Sequence, residues 1–238
     1  MTSTIPKPVP SETTTVTSPS GEPAKIQEFK LNHPKNYLAV PLAVVADGAT
    51  DALIREHAVN LPRRARRGAE ETGLIAATGD VTPLGEAVIV TARRVHGSPR
   101  EALHAFEDLH GSPKRFTDVH PEWQALTERL AFQYEPTMHL VEFLRQQGEL
   151  QLHELTWLLW KREPELAKTV FLHPSTVEQH DVGPDTPPTS DIVASSDSYR
   201  SESTFQFKAF LYHCGIVDSR GDYTSRLEPE QDTWSLSE

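Results

Sequence analysis

Prolines decide how this chain can be cut into elements. Nineteen of them are spread over 238 residues. Each lacks a backbone N–H and has a fixed φ, so a first helical turn accepts it while a helix interior resists it. Thr82-Pro83 and Ser98-Pro99-Arg100-Glu101 pair a capping hydroxyl with proline at the first helical position, and the second adds the glutamate of a capping box. Pro62 and Pro121 open two further helices. The sequence therefore predicts a mostly helical chain built from short elements.

Apolar spacing fills in the rest. Leu38 to Val45 is apolar and short, and ends at Asp47-Gly48. Thr50 can cap a helix carrying Leu53, Ile54, Ala58 and Leu61 on one face. Gly73 can end the helix that Pro62 begins. Leu74-Ile75, a Gly79-Asp80 turn and Val81 then lead into the helix at Pro83, with Leu84, Ala87, Val88, Thr91 and Val95 on its face. Leu103 and Phe106 mark the helix after Pro99. His-Gly-Ser-Pro occurs at His96–Pro99 and His110–Pro113, which reads as two similar helix caps and not as a domain repeat. Pro121 starts a longer helix with Trp123, Leu126, Leu130 and Tyr134 on one stripe. Leu140, Val141 and Leu144 mark another, ending near Gly148. Leu152 to Trp160 is apolar nearly all round and is expected to be the most buried element of the second half. Leu166, Val170 and Phe171 continue the helical pattern. Ser203 or Thr204 caps a helix through Cys214, closed by Gly215. Ile216-Val217, a turn at Arg220-Gly221 and Trp234-Ser235-Leu236 read as short strands.

Two stretches have few apolar anchors. Residues 1–34 form a Thr, Ser and Pro tail, expected to be disordered, and 175–202 forms an acidic loop. The chain carries 34 acidic and 23 basic side chains, 15 Arg and 8 Lys, for a formal net charge of −11. A negative net charge normally argues against nucleic acid, yet what matters is where the positive charge sits. The acid-rich, lysine-poor balance resembles that of proteins from salt-loving archaea, where the Debye length in molar salt is about 3 Å and a distant negative surface hardly repels DNA. One cysteine excludes an intramolecular disulfide and a cysteine-rich zinc site. No apolar run is long enough for a transmembrane helix, and the N-terminus has no apolar core of signal-peptide length, so a cytoplasmic protein is expected. No Gly-rich phosphate loop, His-Glu-x-x-His or Gly-x-Ser-x-Gly pattern occurs. His104, Glu107 and His110 could share a helix face, but solvated histidines are the default. No metal, no cofactor and no catalysis are expected.

Two stretches share one order: a helix closed by glycine, an apolar pair, a turn and a returning segment. In the first, Glu70-Glu71-Thr72-Gly73-Leu74-Ile75 is followed by Val81-Thr82-Pro83-Leu84-Gly85-Glu86-Ala87-Val88. In the second, Leu211-Tyr212-His213-Cys214-Gly215-Ile216-Val217 is followed by the Gly221 turn and Trp234 to Leu236. This resembles the winged helix-turn-helix DNA-binding class, in which a recognition helix runs into Gly-Leu-Ile, a β-hairpin wing, and a Leu-Thr-Pro-Leu-Gly phrase that starts the last helix. Here valine precedes Thr82-Pro83-Leu84-Gly85. The resemblance implies a mostly α fold with short β-hairpin wings: a winged-helix domain at 35–95, a helical connector at 96–135, and a second winged-helix-like domain at 136–238 interrupted by the acidic loop.

On a helical wheel of residues 62–72, Pro62, Ala65, Gly68, Ala69 and Thr72 share one side. Arg63, Arg64, Arg66 and Arg67 fall on the other, with Glu70 and Glu71. Arginines on the first turns of a recognition helix suit phosphate and major-groove contact. The alternative is an ordinary exposed face in which Arg66 and Arg67 pair with Glu70 and Glu71. Arg93 and Arg94 could add backbone contacts or simply suit the helix C-terminus. The second candidate helix buries Phe207, Phe210, Leu211 and Cys214, and shows Phe205, Lys208, Ala209 and Tyr212 on its other side. Exposed aromatics beside one cation suggest a protein partner, a second copy or base stacking more than duplex backbone binding; the alternative is that the linker or a neighbouring helix covers Phe205 and Tyr212. The expected function is a transcriptional regulator binding double-stranded DNA through Arg63, Arg64, Arg66 and Arg67, with Phe205, Lys208 and Tyr212 as a partner interface. The alternative is a non-catalytic adaptor that docks proteins in a DNA-processing, replication or defence complex.

Overall fold

The computed structural model describes residues 33–47, 62–109, 114–172, 179–181, 186, 188–189, 207–219 and 233–237. The helix expected after Thr50, the tail up to residue 32, nearly all of the acidic loop, Phe205 and the Arg220-Gly221 turn lie outside them.

The first helix, α1 (Pro34–Asp47), begins inside the expected tail. Residues Tyr37 to Ala43 are almost wholly apolar and are buried throughout, which suits a helix walled in by others. It packs against α2 (Pro62–Glu71), α3 (Pro83–His96) and α4 (Pro99–Glu107). Pro41 sits inside α1, against the rule that the first turn is proline's place. Its cost of roughly 3 kcal/mol is outweighed by burying Leu38, Val40 and Leu42 on the same helix, each worth about 1.5–3 kcal/mol.

Caps fix the next starts. Thr82 accepts a hydrogen bond from Gly85 N–H at the head of α3, and Ser98 accepts one from Glu101 N–H at the head of α4. The short helix α5 (Phe116–Val119) leads to Pro121, which opens only a 3-10 turn (Pro121–Trp123) before α6 (Gln124–Ala131). Tyr134 is not on that helix. It is the N-cap of α7 (Glu135–Gln147), because Pro136 is accommodated in a new first turn. A two-residue strand, β1 (Leu150–Gln151), precedes α8 (Leu152–Arg162) and α9 (Pro164–Phe171). Residues 207–213 are helical (α10), followed by β2 (Val217–Ser219) and β3 (Thr233–Leu236).

The three strands form one antiparallel sheet in the order β1-β3-β2. Leu150 faces Trp234, and Val217 faces Leu236. β1 is not anticipated from the sequence, since two residues carry no readable alternation. The buried side chains of both halves form one cluster, with Phe106, Phe116, Trp123, Trp160, Phe171, Phe207, Phe210 and Trp234 fully enclosed. The ring of Tyr37 in α1 lies 6.2 Å from that of Phe210 in α10.

The expectation that Leu152 to Trp160 is the most buried element of the second half does not hold. Glu154 and Lys161 of α8 are exposed, and Trp157 is 36% exposed. An open cavity of about 350 Å³, lined by Gln147, Leu150, His153, Glu154, Trp157 and Leu158, borders that helix. Every described residue of α10, in contrast, is buried or half-buried.

Candidate nucleic-acid interface

The small residues of α2 set its position. Pro62, Ala65, Gly68, Ala69 and Thr72 are buried. A side chain on Gly68 would overlap the Tyr37 ring, so α2 approaches α1 as closely as a bare backbone allows. Thr72 Oγ1 donates back to the Gly68 carbonyl at 2.6 Å. The helix then stops at Gly73, whose φ of 69° is the left-handed region. Leu74 N–H donates to Ala69 O at 2.8 Å and Gly73 N–H to Glu70 O at 3.0 Å, the paired bonds of a Schellman stop. Ile75 pairs with Val81 across a tight hairpin. Thr82 closes the unit: its N–H donates to Leu74 O at 3.2 Å, and its hydroxyl to Gly73 O at 2.5 Å.

This scaffold turns the arginine side outward. Arg63 and Arg64 are exposed, and among the described residues neither guanidinium has a hydrogen bond or ion pair. Arg66 is half-buried. Arg67 is exposed, and its Nε donates to Glu71 Oε1 at 2.8 Å. With side chains 63% and 47% exposed, that pair contributes only a few tenths of a kcal/mol. The first turn of this helix thus carries two guanidinium groups unpaired among the described residues, and the last turn carries an Arg–Glu pair. Arg93 is exposed on α3, whereas Arg94 is paired with Glu122. The hairpin tip offers no cation. Residues 76–80 carry Asp80, whose carboxylate accepts from Thr78 Oγ1 at 2.7 Å.

The second unit repeats these backbone bonds. Gly215 has a φ of 76°. Ile216 N–H donates to Leu211 O and Gly215 N–H to Tyr212 O, each at 2.9 Å, and Ser237 N–H returns to Ile216 O at 3.1 Å. Thr82 makes that same returning bond to Leu74 O in the first unit. Phe207, Phe210, Leu211 and Cys214 are buried. The opposite face is not the open surface that the sequence suggests. Lys208 is buried, with Nζ donating to Thr233 O at 2.9 Å and lying 5.3 Å from the Trp234 ring. Tyr212 is half-buried under the Arg115 guanidinium, 4.4 Å from its ring centre. Arg115 also bonds Asp218 of β2. The physical reason is convergence. α10 is covered from both halves of the chain: Phe210 meets Tyr37 and Tyr134, and His213 meets His33. Phe205 lies outside the described residues.

Other reactive side chains are quiet. Burial pushes the Cys214 thiol well above its ordinary value, so it stays protonated and unreactive. Trp123 Nε1 donates to His96 Nε2 at 3.1 Å, and burial lowers the His96 pKa, which holds that ring neutral. His104 pairs with Glu107 at 3.4 Å, both exposed, while His110 lies outside the described residues. Among the described residues, no three metal-ligating side chains gather, and no helix is long and apolar enough to cross a membrane. Arg115 and the buried Lys35 are not singled out by the sequence. Neither belongs to a local pattern, and the one available signal is a lysine standing against the apolar run of α1. Comparison with family models, curated proteins and solved structures gives no match for this chain.

Proposed function

We propose that the chain is a transcriptional regulator that binds double-stranded DNA through the first turns of α2. The observation that carries this reading is the pair Arg63 and Arg64, exposed and unpaired among the described residues, on a helix held rigidly from behind by Gly68 against Tyr37. A cation costs least to deliver to a phosphate when it has no partner to leave. The repeated unit of helix, glycine stop, apolar pair and hairpin supports the tandem winged-helix resemblance. In this reading the first unit contacts DNA, and the second, with its helix inside the core, holds the first in place.

The test is a pull-down of sheared genomic DNA, sequenced, with wild type beside a protein carrying Arg63, Arg64, Arg66 and Arg67 changed to Ala. Enriched sites that vanish in the variant are expected. No enrichment from a well-folded wild-type protein would overturn the reading. It would favour the adaptor, which Asp80 at the hairpin tip also suits, because a wing that met phosphate would gain from a cation there.

A further inference from the structure

Two imidazoles meet where the start of α1 and the end of α10 come together. His33, just before α1, and His213, at the end of α10, lie with ring centres 3.8 Å apart at 38°. Lys35 N–H donates to His33 Nδ1 at 3.2 Å. His213 Nδ1 lies 2.9 Å from the Lys114 carbonyl, which can only accept, so that nitrogen carries the proton. Both hydrogen bonds are satisfied with neutral rings.

The two charged groups that act directly on His213 are cations. Lys35 faces it from α1, and Arg115 from the segment entering α5. Arg115 is paired with Asp218 of β2, and its backbone N–H donates to Asp118 Oδ2. Glu107, at the end of α4, acts on Lys35. Phe116 closes another side, 6.0 Å from the His33 ring. Tyr212, on the same helix as His213, lies under Arg115. A proton added to His213 therefore arrives beside two cations in a buried place.

We propose that the His33–His213 stack is an acid-opened latch, holding the start of α1 and the segment entering α5 against the end of α10. Burial, with Lys35 and Arg115, lowers the closed-state pKa of His213 from 6.5 to about 4. An opened imidazole regains its ordinary value, so the open form binds the proton more tightly, and opening is favoured as the pH falls from 6.5 toward 4. The inference rests on the junction alone and stands whether or not α2 binds DNA.

The Asn36 N–H, which donates to His33 O at the start of α1 and is 8% exposed, reports opening. Its hydrogen exchange would be followed by NMR in the full chain, with rates normalised to the unstructured rate at each pH. Between pH 7.5 and 5 the wild-type rate should rise about 25-fold, from the two pKa values of His213, with the helical circular dichroism unchanged. His213→Gln keeps a donor for Lys114 O and should be flat. Lys35→Gln removes a facing cation and should give a shallower rise. A flat wild-type rate overturns the latch. So does a rise that accompanies loss of helical signal, because the whole protein is then unfolding. If His213→Gln does not fold, a wild-type rise that is complete above pH 6.5, outside the window set by His213, overturns it equally.

Discussion

Gly85→Ala tests what fixes α2 against α3. Helix propensity favours the change, since alanine is about 1 kcal/mol better than glycine within a helix. The packing opposes it. A Cβ at residue 85 would overlap the Leu74 carbonyl oxygen, and would lie 2.8 Å from Val81 Cγ1 and 3.3 Å from the Leu74 carbonyl carbon. Two of these atoms are backbone, so no rotamer change relieves the overlap. Overpacking of this kind costs about 1–3 kcal/mol. Backing α3 away also stretches the bonds from Thr82 to Gly73 O and Leu74 O, each worth about 1 kcal/mol. The net expectation is a loss of about 2 kcal/mol, which moves a urea midpoint down by about 1 M at a slope near 2 kcal/mol/M. The assay is equilibrium unfolding followed by tryptophan fluorescence. Gly79→Ala is the control. Gly79 has a φ of 89° and open space around it, so it should lose only the roughly 1–2 kcal/mol of a left-handed alanine and leave α3 in place. A Gly85→Ala protein as stable as wild type would refute the claim that close backbone approach sets this junction.

Arg63→Ala with Arg64→Ala should leave thermal stability within about 0.5 kcal/mol of wild type, since neither side chain packs inside. The same variant should lower the salt dependence of DNA binding by about 0.9 log unit for each phosphate it no longer neutralises, read by titration at several salt concentrations. Lys35→Met should stabilise the protein at pH 7. Lys35 is only 2% exposed, and burial lowers its pKa from 10.5 to about 8, so the unfolded chain holds the proton more tightly across that window and wild-type stability rises as the pH climbs through it. The advantage of methionine, on the order of 2–3 kcal/mol, should therefore fade by pH 10.5 in denaturant melts. Trp123→Phe deletes the donor to His96 Nε2 and should cost about 1 kcal/mol by the same measurement. Unchanged stability would show that bond to be idle.

Much of the local structure is legible in the residues. Thr82-Pro83 and Ser98-Pro99 begin helices, and Gly73 and Gly215 end them with the same pair of backbone bonds. The small side of α2 and the apolar side of α10 are the sides that are buried. The expectation for Lys208 and Tyr212 fails for a different kind of reason. A wheel separates the two faces of a helix but says nothing of what covers the second one. α10 meets Tyr37 from the beginning of the chain, Tyr134 from its middle and Trp234 from its end. β1 is invisible for the same cause, since a two-residue strand exists only because Trp234 and Thr233 lie beside it.

What the sequence alone determined, then, is where α2 stops and where α3 and α4 begin, and that Arg63 and Arg64 share a face opposite Ala65, Gly68 and Ala69. Those outcomes depend on groups within about four residues of each other, through caps, fixed φ values and helical spacing. The tertiary structure alone decided that Arg63 and Arg64 stay unpaired among the described residues while Lys208 and Arg115 are tied into the fold. It likewise brought His33 onto His213 across most of the chain's length. Such pairings arise when distant segments converge to bury apolar surface, and a charged or aromatic side chain then takes whatever partner that convergence delivers.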